Sequence, residues 1–238
     1  MVTRPLNCCV MRHGRANHVD DGFAVVSSVF DGAELDRLAK TLEGAPLQRS
    51  RAGARHLLTV PPIAALARDS RLTKMAAEVL GCDPVPFGAT LFDKSSEANW
   101  LVVWHQDTAL PLIERRDAAG WGPWSTKGGI TYAHAPASAL SQVVALRVHL
   151  DASTEGNGPL RVLPRTHKLG VLTDQQIHST AERIEPVTCT VERGGVLVMR
   201  PLLVHASSKA SSTAPRRVLH FEYAASRVFE HGLQLRAA

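Results

Sequence analysis

The chain has 238 residues, room for one generous domain with a short N-terminal extension, and its 45% apolar content supports a core without disulfides or a structural metal. Its 27 Lys and Arg against 22 Asp and Glu leave a net charge of +5. These charges are scattered with no basic stripe, which argues against nucleic acid as a partner. No apolar run reaches the roughly 18 residues of a membrane span, and the opening MVTRPLNCCVMRHG has no apolar signal core. The cysteines (Cys8, Cys9, Cys82 and Cys189) show no zinc-binding spacing, so reduced thiols, a cytoplasmic location and no membrane partner are expected.

Residues 1–18 read as an extension. Asp20-Asp21-Gly22 is a turn signal before the apolar run Phe23–Val26. Asp31 is placed to cap a helix whose Leu35, Leu38, Ala39 and Leu42 recur at helical spacing, with Gly44 at its end. Residues 45–61 look irregular and hold Arg49, Arg51 and Arg55. Pro61-Pro62 opens a second helix through Ala67, and a third runs from about Arg71 to Leu80 and stops at Gly81.

From residue 84 the pattern changes to short β-type runs: Val85–Phe92, Trp100–His105, Val143–Leu150, Leu160–Leu163, Val187–Val191, Val196–Met199, Leu202–His205 and Val218–Tyr223. Many short strands behind a helical N-terminal part, without βαβ alternation, predict a mainly β sandwich or barrel, and eight strands suit a jelly roll. Residues 109–140 show no clear periodicity and read as a long active-site loop.

Three residues carry the chemistry. Side chains two apart on a strand share a face, so His105 and Asp107 can close on one metal ion. A His-x-Asp tripeptide alone is weak, since about half a match is expected by chance. His205, after an apolar strand, can supply a third ligand. Two histidines and a carboxylate form the donor set of non-haem iron(II) oxygenases. Near the C-terminus either Arg216 or Arg217 offers a guanidinium fork for a carboxylate. Alternation groups Arg217 with Leu219, Phe221 and Tyr223, and hydrophobicity alone turns Arg217 inward.

Taken together, Trp104-His105-Gln106-Asp107, Asn157-Gly158-Pro159-Leu160 running to Pro164-Arg165-Thr166-His167, His205-Ala206-Ser207 and Pro215-Arg216 resemble the phytanoyl-CoA dioxygenase family over about residues 20–225. The chain departs from the family pattern at Arg165-Thr166, where glycine-serine is usual. The resemblance implies a double-stranded β-helix (a cupin-like jelly roll), with iron(II) held by His105, Asp107 and His205. It also implies 2-oxoglutarate and O2 as cosubstrates and favours Arg216, with Ser207, for the far carboxylate of 2-oxoglutarate. Family members that halogenate carry a small residue in place of the aspartate, so Asp107 implies hydroxylation or another oxidative outcome.

Further candidates follow, Arg147 from the resemblance and the others from their place beside the triad strand, in the long loop or among the arginines of residues 45–61. Arg147, Lys94 and Asn99 are candidate contacts for the cosubstrate, and Trp121, Trp124 and Arg55 for the substrate. Gln106, between two ligands, points to the opposite face. Arg49, Arg51, Arg55 and Arg147 hint at an anionic small-molecule substrate. Two other readings stay open at this level: a jelly-roll ligand-binding module without oxygenase activity, and a cupin-like isomerase using another metal. Oligomeric state has no signal in the sequence.

Overall fold

In this computed structural model the described residues are 20–50, 53–95 and 98–236. The expected extension 1–18, the Cys8-Cys9 pair and Arg51 lie outside them. Strand β1 (Phe23–Val26) follows Gly22, and helix α1 (Gly32–Gly44) starts where the leucine spacing begins. Asp31 caps α1 through a reciprocal box: its carboxylate accepts from the Glu34 amide at 2.8 Å, and the Glu34 carboxylate accepts from the Asp31 amide at 3.0 Å. The short pair β2 (Arg49–Ser50) and β3 (Gly53–Ala54) follows, then α2 (Pro61–Leu66) and α3 (Ser70–Leu80). Asp69 caps α3, and Gly81 ends it in the left-handed conformation at φ 75°.

The β-rich part comprises β4 (Val85–Lys94), β5 (Val102–His105), β6 (Ala109–Leu112), β7 (Trp124–Lys127), β8 (Ile130–His134), β9 (Val143–His149), β10 (Leu160–Val162), β11 (Val187–Cys189), β12 (Val196–Met199), β13 (His205–Ser207) and β14 (Arg216–Ala224). Two short helices interrupt it, α4 (Ala137–Leu140) and α5 (Asp174–Ala181). A seven-stranded sheet runs β1-β12-β9-β14-β4-β3-β2, and a four-stranded sheet runs β11-β10-β13-β5. They face each other as a double-stranded β-helix. Phe23, Val25, Ala145, Leu197 and Met199 of the larger sheet pack on Leu160, Val162 and Cys189 of the smaller.

The larger sheet buries both faces. Its outer face carries Leu91, Val144, Leu146, Val148, Leu219, Phe221 and Tyr223 against Leu35, Leu42, Ile63, Leu66, Leu72 and Ala76 of the three N-terminal helices. The Tyr223 hydroxyl is satisfied there by the Ala67 carbonyl at 2.9 Å. The inner face of β4 and β14 is therefore the more polar one. Arg216 lies opposite Lys94, His220 opposite Thr90, and Glu222 opposite Gly88.

Two expectations are corrected, and one helix is added. Residues 109–140 are not a loop: β6, β8 and β7 form a three-stranded antiparallel sheet, followed by α4. Proline, tryptophan and glycine in short strands masked the alternation, and pairing with each other stabilises strands that local propensity does not mark. The strand expected over Leu202–His205 instead begins at His205, because 201–203 form a turn in which the Leu203 amide bonds Arg200. Helix α5, capped by Thr173, was not expected.

The Arg165-Thr166 departure is accommodated. Arg165 takes φ 70°, the left-handed conformation that glycine adopts without steric cost. Its amide bonds the Asp21 carbonyl at 2.9 Å, and the Thr166 hydroxyl donates to Leu163 at 2.8 Å while accepting from the Val204 amide at 2.9 Å. Thr166 thus sets the approach to β13.

Candidate metal centre

His105 and His205 end up face to face across β5 and β13, where they are register partners. The next pairing is Ser207 with Val102, so three residues of β5 span what two span on β13. This bulge overrides simple alternation. Leu101 and Val103, which strict alternation puts on the face of His105, are 58% and 68% exposed, while His105 joins Asp107 and His205. Asp107 follows the strand and is fixed by its amide, which bonds the Pro201 carbonyl at 3.0 Å.

The three side chains converge. Asp107 Oδ1 lies 3.6 Å from His105 Nε2, and its Oδ2 lies 3.5 Å from His205 Nε2. One ligand atom from each residue falls within 4.8 Å of the others, the cluster among the described residues that can hold a metal ion. Each histidine directs Nδ1 at the carbonyl two residues back, His105 to Val103 at 2.9 Å and His205 to Leu203 at 2.8 Å. A carbonyl only accepts, so the proton sits on Nδ1 and the Nε2 lone pairs point at the shared centre. Burial pushes His205 down to about 4, while the Asp107 carboxylate outweighs burial at His105 and pushes it up. Burial works against the Asp107 carboxylate too, but His205 and His105 hold it well below the usual range. Two neutral imidazoles and an ionised carboxylate are the species a divalent ion needs.

Gln106 turns away, as parity predicted. Its amide nitrogen donates to Leu202 at 2.7 Å and Gly170 at 2.9 Å, and its oxygen accepts from the Leu172 amide at 2.8 Å. It thereby pins the stretch between His105 and Asp107 to the turn before β13. Gln106→Leu leaves three backbone groups unpaired and is expected to cost about 3 kcal/mol, read as a lower midpoint in urea unfolding.

Along the same interior runs a row of buried cations. Lys94, Arg147 and Arg216 are 1%, 6% and 3% exposed. Lys94 Nζ donates to Ser207 Oγ at 3.0 Å and to the Ser208 carbonyl at 2.6 Å, and it lies 5.2 Å from the centre of the Trp100 ring. The Ser207 hydroxyl donates to Gly158 at 2.9 Å. Gly158, at φ 69°, is required here: a Cβ would stand 2.5 Å from the Ser208 carbonyl and 2.9 Å from Lys94 Nζ. Asn157 ties this turn to the start of β14 by donating to Ala152 and Pro215 at 2.8 and 3.4 Å. Arg216 has an Nε buried without a partner, and no carboxylate among the described residues pairs with it. Arg147 donates to His220 Nδ1 at 3.1 Å, and its own Nε is likewise unmet.

Burial, reinforced by neighbouring arginines, lowers Lys94 to about 8 and Arg216 to about 9, and burial lowers Arg147 to about 10. A stability prediction follows. Between the folded value of Lys94, about 8, and its ordinary 10.5, the unfolded chain holds the extra proton, so stability rises with pH across that window. The gain is up to about 3 kcal/mol. Thermal melts of the metal-free protein at pH 7.5 and 9.5 check it. Lys94→Met should flatten the rise, and a rise of equal size in that variant would refute the assignment.

Arg217 faces outward. It holds Asp151 through Nε at 2.9 Å and Nη2 at 3.0 Å, and Glu43 at 3.2 Å. The inward turn that hydrophobicity suggested for Arg217 is thus corrected: the apolar face of β14 meets the helices, not the barrel interior. Asn99 has its amide committed to both backbone groups of Ala210, at 2.9 and 2.7 Å. Trp121 and Trp124 pack in an apolar cluster with Phe229 and Leu110 and do not line the cavity beside the metal cluster. Arg55 does line it. Arg49 pairs with Asp93 at 2.9 Å. Glu222, which sequence reasoning passed over, lines the cavity as well; its place two residues past His220 on the Arg216 face was the available signal.

The match of residues 19–218 to the phytanoyl-CoA dioxygenase (PhyH) model spans most of the chain. The chain belongs to the phytanoyl-CoA dioxygenase family. Its fold is shared with solved structures of low identity. One is EctD from S. alaskensis with bound Fe, 20% identical over 87% of this chain and 73% of that one, with a TM-score of 0.65. Another is HygX from Streptomyces hygroscopicus with nickel and 2-oxoglutarate bound, 18% identical over 90% and 86%, TM-score 0.64. A third is AviO1 from Streptomyces viridochromogenes Tue57, 22% identical over 87% and 91%, TM-score 0.62. No curated protein matches by sequence. Among the described residues of this family member no helix is long and apolar enough to cross a membrane.

Proposed function

We propose that this family member is an iron(II)- and 2-oxoglutarate-dependent dioxygenase that hydroxylates a small polar substrate. The observation that carries the reading is Arg216: a buried guanidinium without a carboxylate, beside Lys94 and Ser207, on the interior shared with a His-Asp-His cluster. A cosubstrate with two carboxylates meets both needs.

His105 and His205 would hold the metal through Nε2, and Asp107 through a carboxylate oxygen. Arg216 would grip the far carboxylate of 2-oxoglutarate in a bidentate fork, with Ser207 and Lys94 as further donors. Bound iron(II) with 2-oxoglutarate and O2 supplies the oxidation of a C–H bond to an alcohol, with succinate and CO2 as coproducts. The protein's part is positional. Val103 and Leu203 carbonyls orient the two imidazoles, Gln106 keeps the intervening backbone in place, and the apolar cores exclude water from the far end. Iron bound to EctD, and nickel with 2-oxoglutarate bound to HygX, support the choice of metal and cosubstrate. The retained Asp107 supports hydroxylation, since it leaves no ligand position for a halide.

Anaerobic titration of the iron(II)-loaded protein with 2-oxoglutarate tests this. A weak visible band at about 500–530 nm is expected from a keto acid chelating iron, and it should be lost in His105→Ala and weakened in Arg216→Ala. No band in the wild type, or an unchanged band in both variants, overturns the reading.

A further inference from the structure

The inner face of β14 is a ruler across the barrel. Arg216 and Glu222 stand six residues apart on it, about 20 Å at strand rise, with His220 between them. Arg216 serves the cosubstrate end. At the other end a cavity of about 540 Å³ is lined by Asp107, His220 and Glu222 and walled by the small sheet and the segment after β3. Its size suits a small-molecule ligand.

Glu222 is built into that cavity. The β4–β14 register shifts between Glu222 and Tyr223, where three residues of β4 (Pro86 to Gly88) span two of β14, and Glu222 keeps the face of Arg216 and His220 opposite Gly88. Gly88 opposite leaves it room: a Cβ there would lie 2.4 Å from Glu222 Oε2. No hydrogen bond or ion pair joins the Glu222 carboxylate to any described residue. Burial, then the Asp107 charge, pushes its carboxyl up to about 7, and the Arg55 charge offsets this only in part.

The mouth has the opposite character. Arg55, Lys127 and Arg236 line the same cavity from three separate segments, and all three are exposed. Arg55 and Arg236 both bear on His56, which burial and these charges push down. His56 itself sits at φ 61°, a left-handed backbone uncommon outside glycine. Apart from Asp107, Glu222 is the lining carboxylate.

We propose that the cavity takes a small zwitterion, its ammonium group against Glu222 beside the metal cluster and its acidic group at the mouth on Arg55, Arg236 and Lys127. This rests on the oxygenase reading of the same site and adds the class of molecule oxidised. The carbon next to the ammonium group is then the part of the substrate nearest the metal cluster.

Binding of three matched probes tests it: 6-aminohexanoate, hexanoate and hexylamine, titrated calorimetrically and anaerobically into the full chain loaded with iron(II) and 2-oxoglutarate. 6-Aminohexanoate should bind about tenfold or more tighter than either single-charge probe. Glu222→Gln should reduce it to the affinity of hexanoate, and Arg55→Met with Arg236→Met to that of hexylamine. Equal binding of hexanoate and 6-aminohexanoate, no binding of the latter, or an unchanged affinity in Glu222→Gln overturns the proposal. The 2-oxoglutarate band in the same samples separates the two readings. If it is absent from the wild type, the oxygenase reading fails whatever the probes do. If it is present and the probes do not discriminate, the zwitterion proposal alone fails.

Discussion

Arg216→Met is expected to raise the melting temperature of the metal-free protein while abolishing tight 2-oxoglutarate binding. The two effects have one cause. Arg216 is 3% exposed, its Nε has no partner, and burial followed by Arg147 lowers it from its ordinary value to about 9. Holding that buried charge without a carboxylate partner costs several kcal/mol, and an apolar side chain of similar length removes the cost. With 2-oxoglutarate present the sign reverses, because the cation then meets its carboxylate. Losing such a buried charged pair costs about 2–5 kcal/mol, roughly 30- to 5,000-fold in affinity.

Arg217→Met is the control. Its guanidinium grips Asp151 and Glu43 on the outer side, so the variant should lose about 1–2 kcal/mol and keep its 2-oxoglutarate affinity. Calorimetric titration and thermal melts on the pair check both signs. If Arg217→Met lost the cosubstrate and Arg216→Met kept it, the assignment would be reversed.

The second large effect is expected at the metal cluster. His205→Ala and Asp107→Asn should lose metal by far more than the roughly 10–100-fold that outer hydrogen bonds to metal ligands are worth. Succinate formation should fall to background with the metal. Metal content after dialysis, measured beside the far-ultraviolet circular dichroism of each variant, separates loss of ligand from loss of fold. Asp107→Asn is the cleaner probe, since Asp107 is 43% exposed at its side chain while His205 is 4% exposed and fills core space. Full metal retention in both variants would refute the cluster.

Helix starts were legible because caps are local. Asp31 and Gly81 act within a few residues of themselves, and the structure uses them as the sequence indicates, while Asp69, which caps α3, was not singled out. The small sheet was not legible, because Ala109–Leu112 and Trp124–Lys127 become strands through pairing with Ile130–His134. Glu222 was missed for a related reason. Alternation puts it on the face of Arg216 and His220, but only Gly88 and the cavity opposite make that face a site.

By itself the sequence determined the donor types and their order: His105, Asp107, His205, and an arginine at the head of the last long strand. It also determined that Arg216 and Arg217 lie on opposite faces, since alternation is a property of the chain. Only the tertiary structure decided which face is the barrel interior. Helices cover the outer side of the larger sheet, so its more apolar face turns away from the site and its polar face turns in. Only the pairing of β5 with β13 decided that His105 leaves its exposed neighbours Leu101 and Val103 to meet His205. Both outcomes depend on contacts between segments far apart in sequence, which periodicity within one segment does not encode.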